Sequence, residues 1–261
     1  MKPTTIYQVD AFSTGVFTGN PAAVCPLSQW PEDELLQAIA TENNLSETAF
    51  LVRAKNHYEI RWFTPRGEVD LCGHATLASA YIIFNKLDTG LNSVVFNSKG
   101  GKLQVHRKGT QLTLDFPALP YEEISLDSSI PELVNIKPSK ILRSTYDLIW
   151  VMQNEGEVQE AHPNFQLISA QPYRGLIITS KGHSEDFYSR CFYPRHQVME
   201  DPVTGSAHCV LTPYWSAQLG KQQLRARQGL ERQGVIDCFF AKDRVLLTGQ
   251  CSLYLEGTLF V

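Results

Sequence analysis

A short pattern occurs twice in this chain, and that repeat constrains the fold more than any other feature of the sequence. The first copy runs from Phe63 to Arg66 and continues at Gly73 to Ala75; the second runs from Phe192 to Arg195 and continues at Gly205 to Ala207. The F-x-P-R elements lie 129 residues apart and the G-[HS]-A elements 132 apart, so an insertion of three residues in the second copy reconciles them. Matches this short also arise by chance, so duplication and coincidence both stay open.

Each copy predicts a strand, a loop and then a helix that begins at glycine. We expect one helix over Gly73 to Phe84, closed by Asn85, and a second from Gly205 to about Leu219. The start of a helix presents unpaired N–H groups and a partial positive charge. Two such ends facing one cleft would bind a carboxylate or another oxyanion through the amides of Gly73, His74, Gly205 and Ser206. The alternative is two ordinary helices packed in separate cores.

Length and composition limit the classes of protein. A chain of 261 residues is near the size at which one core splits into two domains. The net charge of -4, without a long run of either sign, does not favour a nucleic acid or an anionic membrane as partner. Six cysteines without a CxxC pair favour free thiols. No apolar run approaches the roughly 20 residues of a membrane span, and the start of the sequence lacks the apolar stretch of a signal peptide, so a cytoplasmic protein is expected.

The segment Leu45 to Val52 alternates like a strand, with Leu45, Glu47, Ala49 and Leu51 on one face. Glu47 therefore lies among apolar residues. Partial desolvation favours the protonated carboxyl, which lets one group take and return a proton near neutral pH. The alternative is a surface carboxylate on an edge strand.

Other elements follow from periodicity and turn residues. The predicted strands are Ile6 to Phe12, Ala22 to Cys25, Tyr58 to Phe63, Ser93 to Asn97, Lys102 to Arg107, Gln111 to Phe116, Ser144 to Met152, Gly175 to Thr179 and those within Val235 to Val261. A helix is predicted to begin near Trp30 to Glu34 and to stop at Asn43-Asn44.

An ordered set of motifs covers essentially the whole chain. The motifs are Asp10 to Phe12, Phe17 to Cys25, Asn44 to Phe50, Phe63 to Pro65, Glu68 to Ala78, Glu200 to His208 and Val245 to Leu259. Together they resemble the PhzF (phenazine biosynthesis-like) family. The resemblance implies an α+β, diaminopimelate-epimerase-like fold, in which two pseudo-symmetric domains each wrap a curved, mostly antiparallel sheet around a central helix. The active site would lie in the interdomain cleft.

The expected domains are residues 1–116, joined by a C-terminal strand at 252–261, and residues 117–251. The resemblance further implies a cofactor-independent isomerase without a metal, a small-molecule carboxylate substrate and a homodimer. It does not name the substrate, and no phenazine pathway follows from one chain.

The resemblance also assigns roles to individual residues. Glu47 sits where the family carries its acid–base, and His74 would orient the substrate or assist proton transfer. Asp201 would accept a hydrogen bond from a substrate amine or hydroxyl, and Ser206 would donate to a substrate oxygen or relay a proton. Helix capping is the alternative for Asp201 and Ser206, because Asp and Ser are favoured caps.

Four further residues are expected to bind the substrate: Asn20, Gly73, Thr204 and Gly205. For Asn20, which precedes Pro21, a turn-forming role is the alternative. Arg66 would favour an acidic substrate if it faced the cleft, and would otherwise be a solvated loop charge.

Other functions are compatible with parts of the sequence. Epimerases of this fold use two thiols, and Cys72 falls at the first position, but the residue aligned with the second is Pro202, which cannot transfer a proton. A two-thiol racemase is therefore disfavoured, and a single-thiol epimerase or racemase that uses Cys72 stays open. A hydrolase built from Ser206, His208 and Asp201 lacks a G-x-S-x-G elbow. A binding or scaffold protein would have no chemical need for the proposed catalytic set.

Overall fold

The computed structural model describes residues 3–125 and 132–261. The chain divides into two compact units. Unit 1 consists of Met1–Asp115 together with Thr248–Val261, and unit 2 consists of Phe116–Leu247.

Unit 1 is organised around a mixed sheet. Its strands, numbered in chain order, are β1 (Thr4–Ala11), β2 (Asn20–Leu27), β3 (Glu47–Arg53), β4 (Tyr58–Thr64), β5 (Gly67–Val69), β6 (Ser93–Ser98), β7 (Gly101–Lys108), β8 (Gln111–Pro117) and β18 (Cys251–Leu259). They pair in the order β18-β1-β2-β3-β4-β6-β7-β8, with β5 as a third partner of β4. The pairs β2–β3 and β4–β6 are parallel and the others are antiparallel.

Each parallel pair of unit 1 requires a crossover connection, and a helix lies within each crossover. Helix α1 (Asp33–Asn43) connects β2 to β3 and contacts β3 and β4. It ends at Asn44, which has a left-handed φ of 50°, so the predicted stop is confirmed. Helix α2 (Gly73–Ile82) lies between β5 and β6 and is buried along nearly its whole length against β1, β2, β3 and β18.

The C-terminal end of α2 differs from the prediction. The helix does not stop at Asn85 but continues as a π-helical turn over Ile83–Leu87. Within that turn the side-chain amide of Asn85 donates to the carbonyl of Tyr81 at 2.7 Å, one turn back. The asparagine is therefore absorbed into the helix rather than breaking it.

Unit 2 has the same organisation. Its strands are β9 (Tyr121–Ile124), β10 (Lys140–Ser144), β11 (Asp147–Val151), β12 (Gly175–Lys181), β13 (Phe187–Tyr193), β14 (Val198–Asp201), β15 (Gln223–Gln228), β16 (Gly234–Ala241) and β17 (Arg244–Gly249). They pair as β9-β10-β11-β12-β13-β15-β16, with β14 as a third partner of β13, and β11–β12 and β13–β15 are parallel. Its helices are α3 (Glu155–Gln159), α4 (Phe165–Ala170) and α5 (Gly205–Leu219).

The pairing order of unit 2 repeats that of unit 1 step by step, and the sequence repeat falls at matching places. Phe63 lies near the end of β4 and Phe192 near the end of β13. Gly73 and Gly205 are the first residues of α2 and α5, as the repeat predicted. The two short motifs therefore mark two copies of one topology.

The strand predicted around Ser144 to Met152 is confirmed as β11, with shorter bounds. The prediction missed β10, which ends at Ser144 before the tight turn that leads to Asp147. The prediction also missed α3 and α4, which have five and six residues. Their start signals are present, since Asn154 and Asn164 each accept a hydrogen bond from a first-turn N–H through the side chain. Periodicity cannot detect helices of one or two turns.

In the part of the chain that the structure describes, α5 is the longest helix with 15 residues, and no helix reaches the length and apolarity of a transmembrane segment.

Candidate active site

Glu47 and His74 meet in unit 1. Glu47 is the first residue of β3 and His74 is the second residue of α2. Glu47 Oε2 lies 3.1 Å from His74 Nε2, with the His74 side chain 5% exposed and the Glu47 side chain 18% exposed. The contact does not have the direction of a hydrogen bond, and neither atom has a hydrogen-bond partner among the described residues, so it is an ion-pair contact. The buried imidazole thus contacts a carboxyl group that keeps some access to solvent.

The other ring nitrogen of His74 is held from two sides. His74 Nδ1 lies 3.3 Å from Asn20 Nδ2 and 3.6 Å from Cys72 Sγ. An amide nitrogen only donates, so in this orientation Nδ1 accepts and the proton of the neutral ring sits on Nε2, next to Glu47. In the neutral ring the tautomer is therefore set by the partner on the far side, whereas a protonated ring donates from both nitrogens and requires the Asn20 amide to turn its oxygen toward Nδ1.

Asn20 reaches His74 because of the glycine before it. Gly19 has a left-handed φ of +72°, and a Cβ there would lie 2.2 Å from the carbonyl oxygen of Ala11. Only glycine allows the loop to close so tightly on the end of β1. Asn20, fully buried, then begins β2 with its side chain toward α2 rather than serving only as a turn residue.

The electrostatics of the cluster favour a protonated imidazole beside a carboxylate. Burial by itself disfavours the charged ring, but the nearby Glu47 opposes this effect, and the pKa of His74 is raised above its usual value. Burial and the nearby Glu47 raise the pKa of the Cys72 thiol. The thiol is therefore protonated near neutral pH, which weakens its use as a base or nucleophile.

The repeat shows what stands at the place of Glu47 in the second unit. Thr48 pairs with Phe63 in unit 1, and Leu176 pairs with Phe192 in unit 2. Gly175 therefore occupies in β12 the place that Glu47 occupies in β3. Of these two matching positions, only the one in unit 1 has an ionisable side chain.

The unit 2 residues cluster at the start of α5. Thr204 is the N-cap residue, Gly205 and Ser206 are the first two helical residues, and Asp201 ends β14. Thr204 Oγ1 donates to Asp201 Oδ2 at 2.5 Å. The N-cap position of α5 carries no side-chain cap hydrogen bond, so the capping alternative for Asp201 and Ser206 gains no support.

The equivalence of Cys72 with Pro202 is wrong. Cys72 is the N-cap residue of α2, and the N-cap residue of α5 is Thr204, two residues after Pro202. The three inserted residues of the second copy therefore lie before Thr204. The second position still lacks a thiol, because it carries a hydroxyl.

His208 does not complete a hydrolase triad. Its Nδ1 lies 2.9 Å from the carbonyl oxygen of Thr204, one turn back on α5, and its ring packs on Phe187 at a centroid distance of 5.8 Å. Burial lowers the pKa of His208 to about 4. The ring is thus a neutral core residue engaged with the backbone.

Two other observations complete the site. Arg66 is exposed in the turn between β4 and β5. The potential ligand atoms of Glu47, Cys72 and His74 lie within 4.8 Å of one another. Thiolate and imidazole are preferred zinc ligands, so these three side chains are where an ion could bind, although the raised pKa of Cys72 opposes the thiolate form. The absence of a metal stays a prediction.

Sequence reasoning did not find Gln228, the fully buried last residue of β15, whose side chain bonds the segment between β14 and α5. A lone glutamine at a strand end carries no local signal of such contacts.

Comparisons of sequence and structure relate this chain to known proteins of one family. The family model for phenazine biosynthesis-like proteins, PhzC-PhzF, matches residues 9–257. An uncharacterised isomerase of Pseudomonas aeruginosa is 47% identical over 98% of both chains, and one of Halalkalibacterium halodurans is 43% identical over the full length of both. A crystal structure of a PhzF-family protein of Enterococcus faecalis has a TM-score of 0.96 at 39% identity over the full length of both chains.

A more distant structure agrees on the fold alone. A probable proline racemase of Agrobacterium radiobacter has a TM-score of 0.66 at 8% identity, covering 99% of this chain and 93% of its own. The α+β, diaminopimelate-epimerase-like fold is therefore confirmed, and the family and its neighbours support an isomerase- or epimerase-type function. The match over nearly the whole chain shows that this protein belongs to the PhzC-PhzF family of phenazine biosynthesis-like proteins.

Proposed function

We propose that this protein is a cofactor-independent isomerase that moves a proton within a small unsaturated amino- or hydroxycarboxylic acid, with Glu47 as the general acid–base. The observation that carries the proposal is the 3.1 Å contact between Glu47 Oε2 and the buried imidazole of His74. Carboxylates are common proton carriers, and a positioned one contributes about 10²–10⁴-fold to the rate.

The proposed reaction is a proton shift without net redox change. The Glu47 carboxylate takes a proton from a substrate carbon, the C–H electron pair becomes part of a shifted double bond, and Glu47 returns the proton to another carbon of the same conjugated system. One C–H bond breaks and one forms, so the balance needs no electron carrier. His74 contacts Glu47 Oε2 through Nε2, while Asn20 and Cys72 hold the ring from Nδ1.

The partial exposure of Glu47 fits this role. A carboxyl group as deeply buried as His74 could not reach a substrate, and a fully exposed one would be fully hydrated. With 18% of its side chain exposed, Glu47 combines access with a partly desolvated setting.

Asp201 and Ser206 keep the roles that the family resemblance gave them, as acceptor for a substrate polar group and as donor or proton relay. Asn20, Gly73, Thr204 and Gly205 keep theirs as substrate-binding residues. Replacing Asp201 or Ser206 tests whether unit 2 takes part in the reaction. A small carboxylate substrate and a homodimer in the cytoplasm complete the proposal.

The test is a proton-exchange assay. Wild type and Glu47→Gln are incubated in deuterated water with a panel of cyclic and acyclic unsaturated amino and hydroxy acids, including a dihydro-hydroxyanthranilate, and followed by NMR. We expect deuterium uptake or isomerisation in wild type and a loss of about 10²–10⁴-fold in the variant.

Unit 1 offers a matched control. His57 Nε2 lies 2.5 Å from Glu59 Oε1 in a second Glu–His pair, whose side chains are 29% and 40% exposed. Glu59→Gln removes a contact of the same kind away from the proposed site and should leave the exchange rate unchanged. Equal exchange in wild type and Glu47→Gln would remove Glu47 from its role and give weight to a Cys72-dependent epimerase, which the 3.6 Å contact with His74 makes the second candidate.

A further inference from the structure

The segment between β14 and α5 is bonded at both ends by one side chain from a neighbouring strand. Gln228 is the last residue of β15 and is fully buried. Its Oε1 accepts from the backbone N–H of Thr204 at 2.9 Å. Its Nε2 donates to the carbonyl oxygen of Asp201 at 2.7 Å and to Thr204 Oγ1 at 3.0 Å. A buried amide is costly unless it is hydrogen-bonded, and here three bonds repay that cost.

The network fixes the direction of every hydrogen bond in it. The N–H of Thr204 can only donate and the carbonyl of Asp201 can only accept, so the amide of Gln228 has a single orientation. Since Thr204 Oγ1 accepts from Gln228, its own proton is left to donate to Asp201 Oδ2, 2.5 Å away. Gln228 thereby directs the Thr204 hydroxyl toward the carboxylate of Asp201.

We propose that Gln228 is a positioning residue, which orients the Asp201 carboxylate through the Thr204 hydroxyl and fixes the start of α5. The inference rests on the proposed role of Asp201 in catalysis. The geometry on which it stands lies wholly within unit 2.

Unit 1 has no equivalent clamp among its described contacts. Glu59 pairs in parallel with Asn97, and Tyr188 pairs with Arg227, so Ser98 matches Gln228 in the repeat. Ser98 donates to the carbonyl of Gly101 at 2.8 Å, within its own hairpin. Among the described contacts the clamp is therefore specific to unit 2, although a carboxylate, Asp70, also precedes the helix of unit 1.

The segment between β14 and α5 is also held by contacts that do not involve Gln228. Glu200 pairs with the buried Arg190 at 2.8 Å and accepts from the backbone N–H of Leu230 at 3.1 Å. These contacts remain when Gln228 is replaced, so its variants should fold. Gln228→Met keeps the length of the side chain and removes all three hydrogen bonds.

The experiment combines kinetics with a spectroscopic readout. Gln228→Met, Thr204→Val and the double variant are compared with Thr204→Ser, which keeps the hydroxyl, and with Ser98→Ala as control. Proton exchange gives kcat and KM, and the ¹³C NMR signal of the Asp201 carboxyl, assigned with Asp201→Asn, reports its surroundings without substrate.

We expect Gln228→Met to lower kcat about tenfold at nearly constant KM, and Thr204→Val to lower kcat by about the same factor, because each removes the orientation of a bond to a charged group. The double variant should match either single variant, since both act through the same hydroxyl. Ser98→Ala should resemble wild type in kcat and KM, and Thr204→Ser, which keeps the hydroxyl, should keep the wild-type Asp201 signal. The Asp201 signal should move in Gln228→Met and Thr204→Val alone.

Additive losses in kcat would overturn the proposal, and so would an unmoved Asp201 signal in folded Gln228→Met. If Gln228→Met does not fold, the contrast between Thr204→Val and Thr204→Ser decides whether the hydroxyl orders the carboxylate. If wild type exchanges none of the compounds, the proposed function fails, while the NMR comparison still decides whether Gln228 orders Asp201.

Discussion

The neutral, buried His208 makes the stability of unit 2 dependent on pH in a predictable direction. Its ring, on α5, is fully buried in the core of unit 2. Nδ1 donates to the carbonyl oxygen of Thr204, and Nε2 is buried without a hydrogen-bond partner among the described residues. Burial lowers its pKa from the usual 6.5 to about 4. An unfolded chain therefore binds the proton at a higher pH than the folded one does.

The magnitude follows from linkage. Stability from this group is fully present above pH 6.5 and is lost as the pH falls through the window from 6.5 toward 4, because the unfolded state takes up the proton first. Between about pH 7.5 and about pH 5 this single residue should remove about 2 kcal/mol of the free energy of unfolding.

The assay compares urea unfolding of wild type and His208→Asn across that window. The asparagine amide can still donate to Thr204 but cannot take up a proton, so the variant should lose the part of the pH dependence that His208 contributes. At neutral pH it should be less stable than wild type by about 1–2 kcal/mol, because the contact of the ring with Phe187 is lost. His106→Asn, at an exposed position on β7, is the control and should keep the wild-type pH dependence.

Two results would refute this reasoning. The first is a His208 ring that titrates near 6.5 by NMR in the folded protein. The second is a slope of stability against pH that is the same in His208→Asn and wild type. Either result would mean that the folded protein binds a proton at His208 as readily as the unfolded chain does.

The remaining predictions concern a thiol, a glycine and an ion pair. Cys72→Ala should keep proton exchange within about tenfold of wild type, because its raised pKa leaves the thiol protonated; loss of exchange as complete as in Glu47→Gln would establish the thiol mechanism. Gly175→Ala should lower the free energy of unfolding by about 1–3 kcal/mol, since its Cβ would lie 2.2 Å from the Tyr193 ring. Gly15→Ala, with nothing within 4 Å, is its control in urea unfolding, and equal effects would contradict this packing argument. Glu200→Gln should cost about 2 kcal/mol by urea unfolding, because Arg190, 4% exposed, loses its carboxylate; an unchanged midpoint would mean that the backbone carbonyls suffice for Arg190.

Local sequence signals determined much of the secondary structure. The helix that begins at Gly205 and ends at Leu219 was predicted by its small residues and its glycine start, and the end of α1 at Asn43 by the asparagine pair. The repeat of F-x-P-R and G-[HS]-A found the internal duplication because both motifs lie at strand ends and helix starts, where each unit uses the same turns. The family followed from the ordered motifs, and the comparisons confirmed it.

The contacts of the candidate site were decided by tertiary structure. Glu47 meets His74 across 27 residues of sequence, Asn20 meets it across 54, and Gln228 reaches Thr204 across 24. Periodicity and capping report only on a residue's own element, whereas these contacts depend on which strands pair and in which register. The sequence by itself therefore determined the elements and the residues with chemical potential. The folded chain decided their partners, because a side-chain contact needs two backbones placed within a few ångströms and no local pattern encodes that distance.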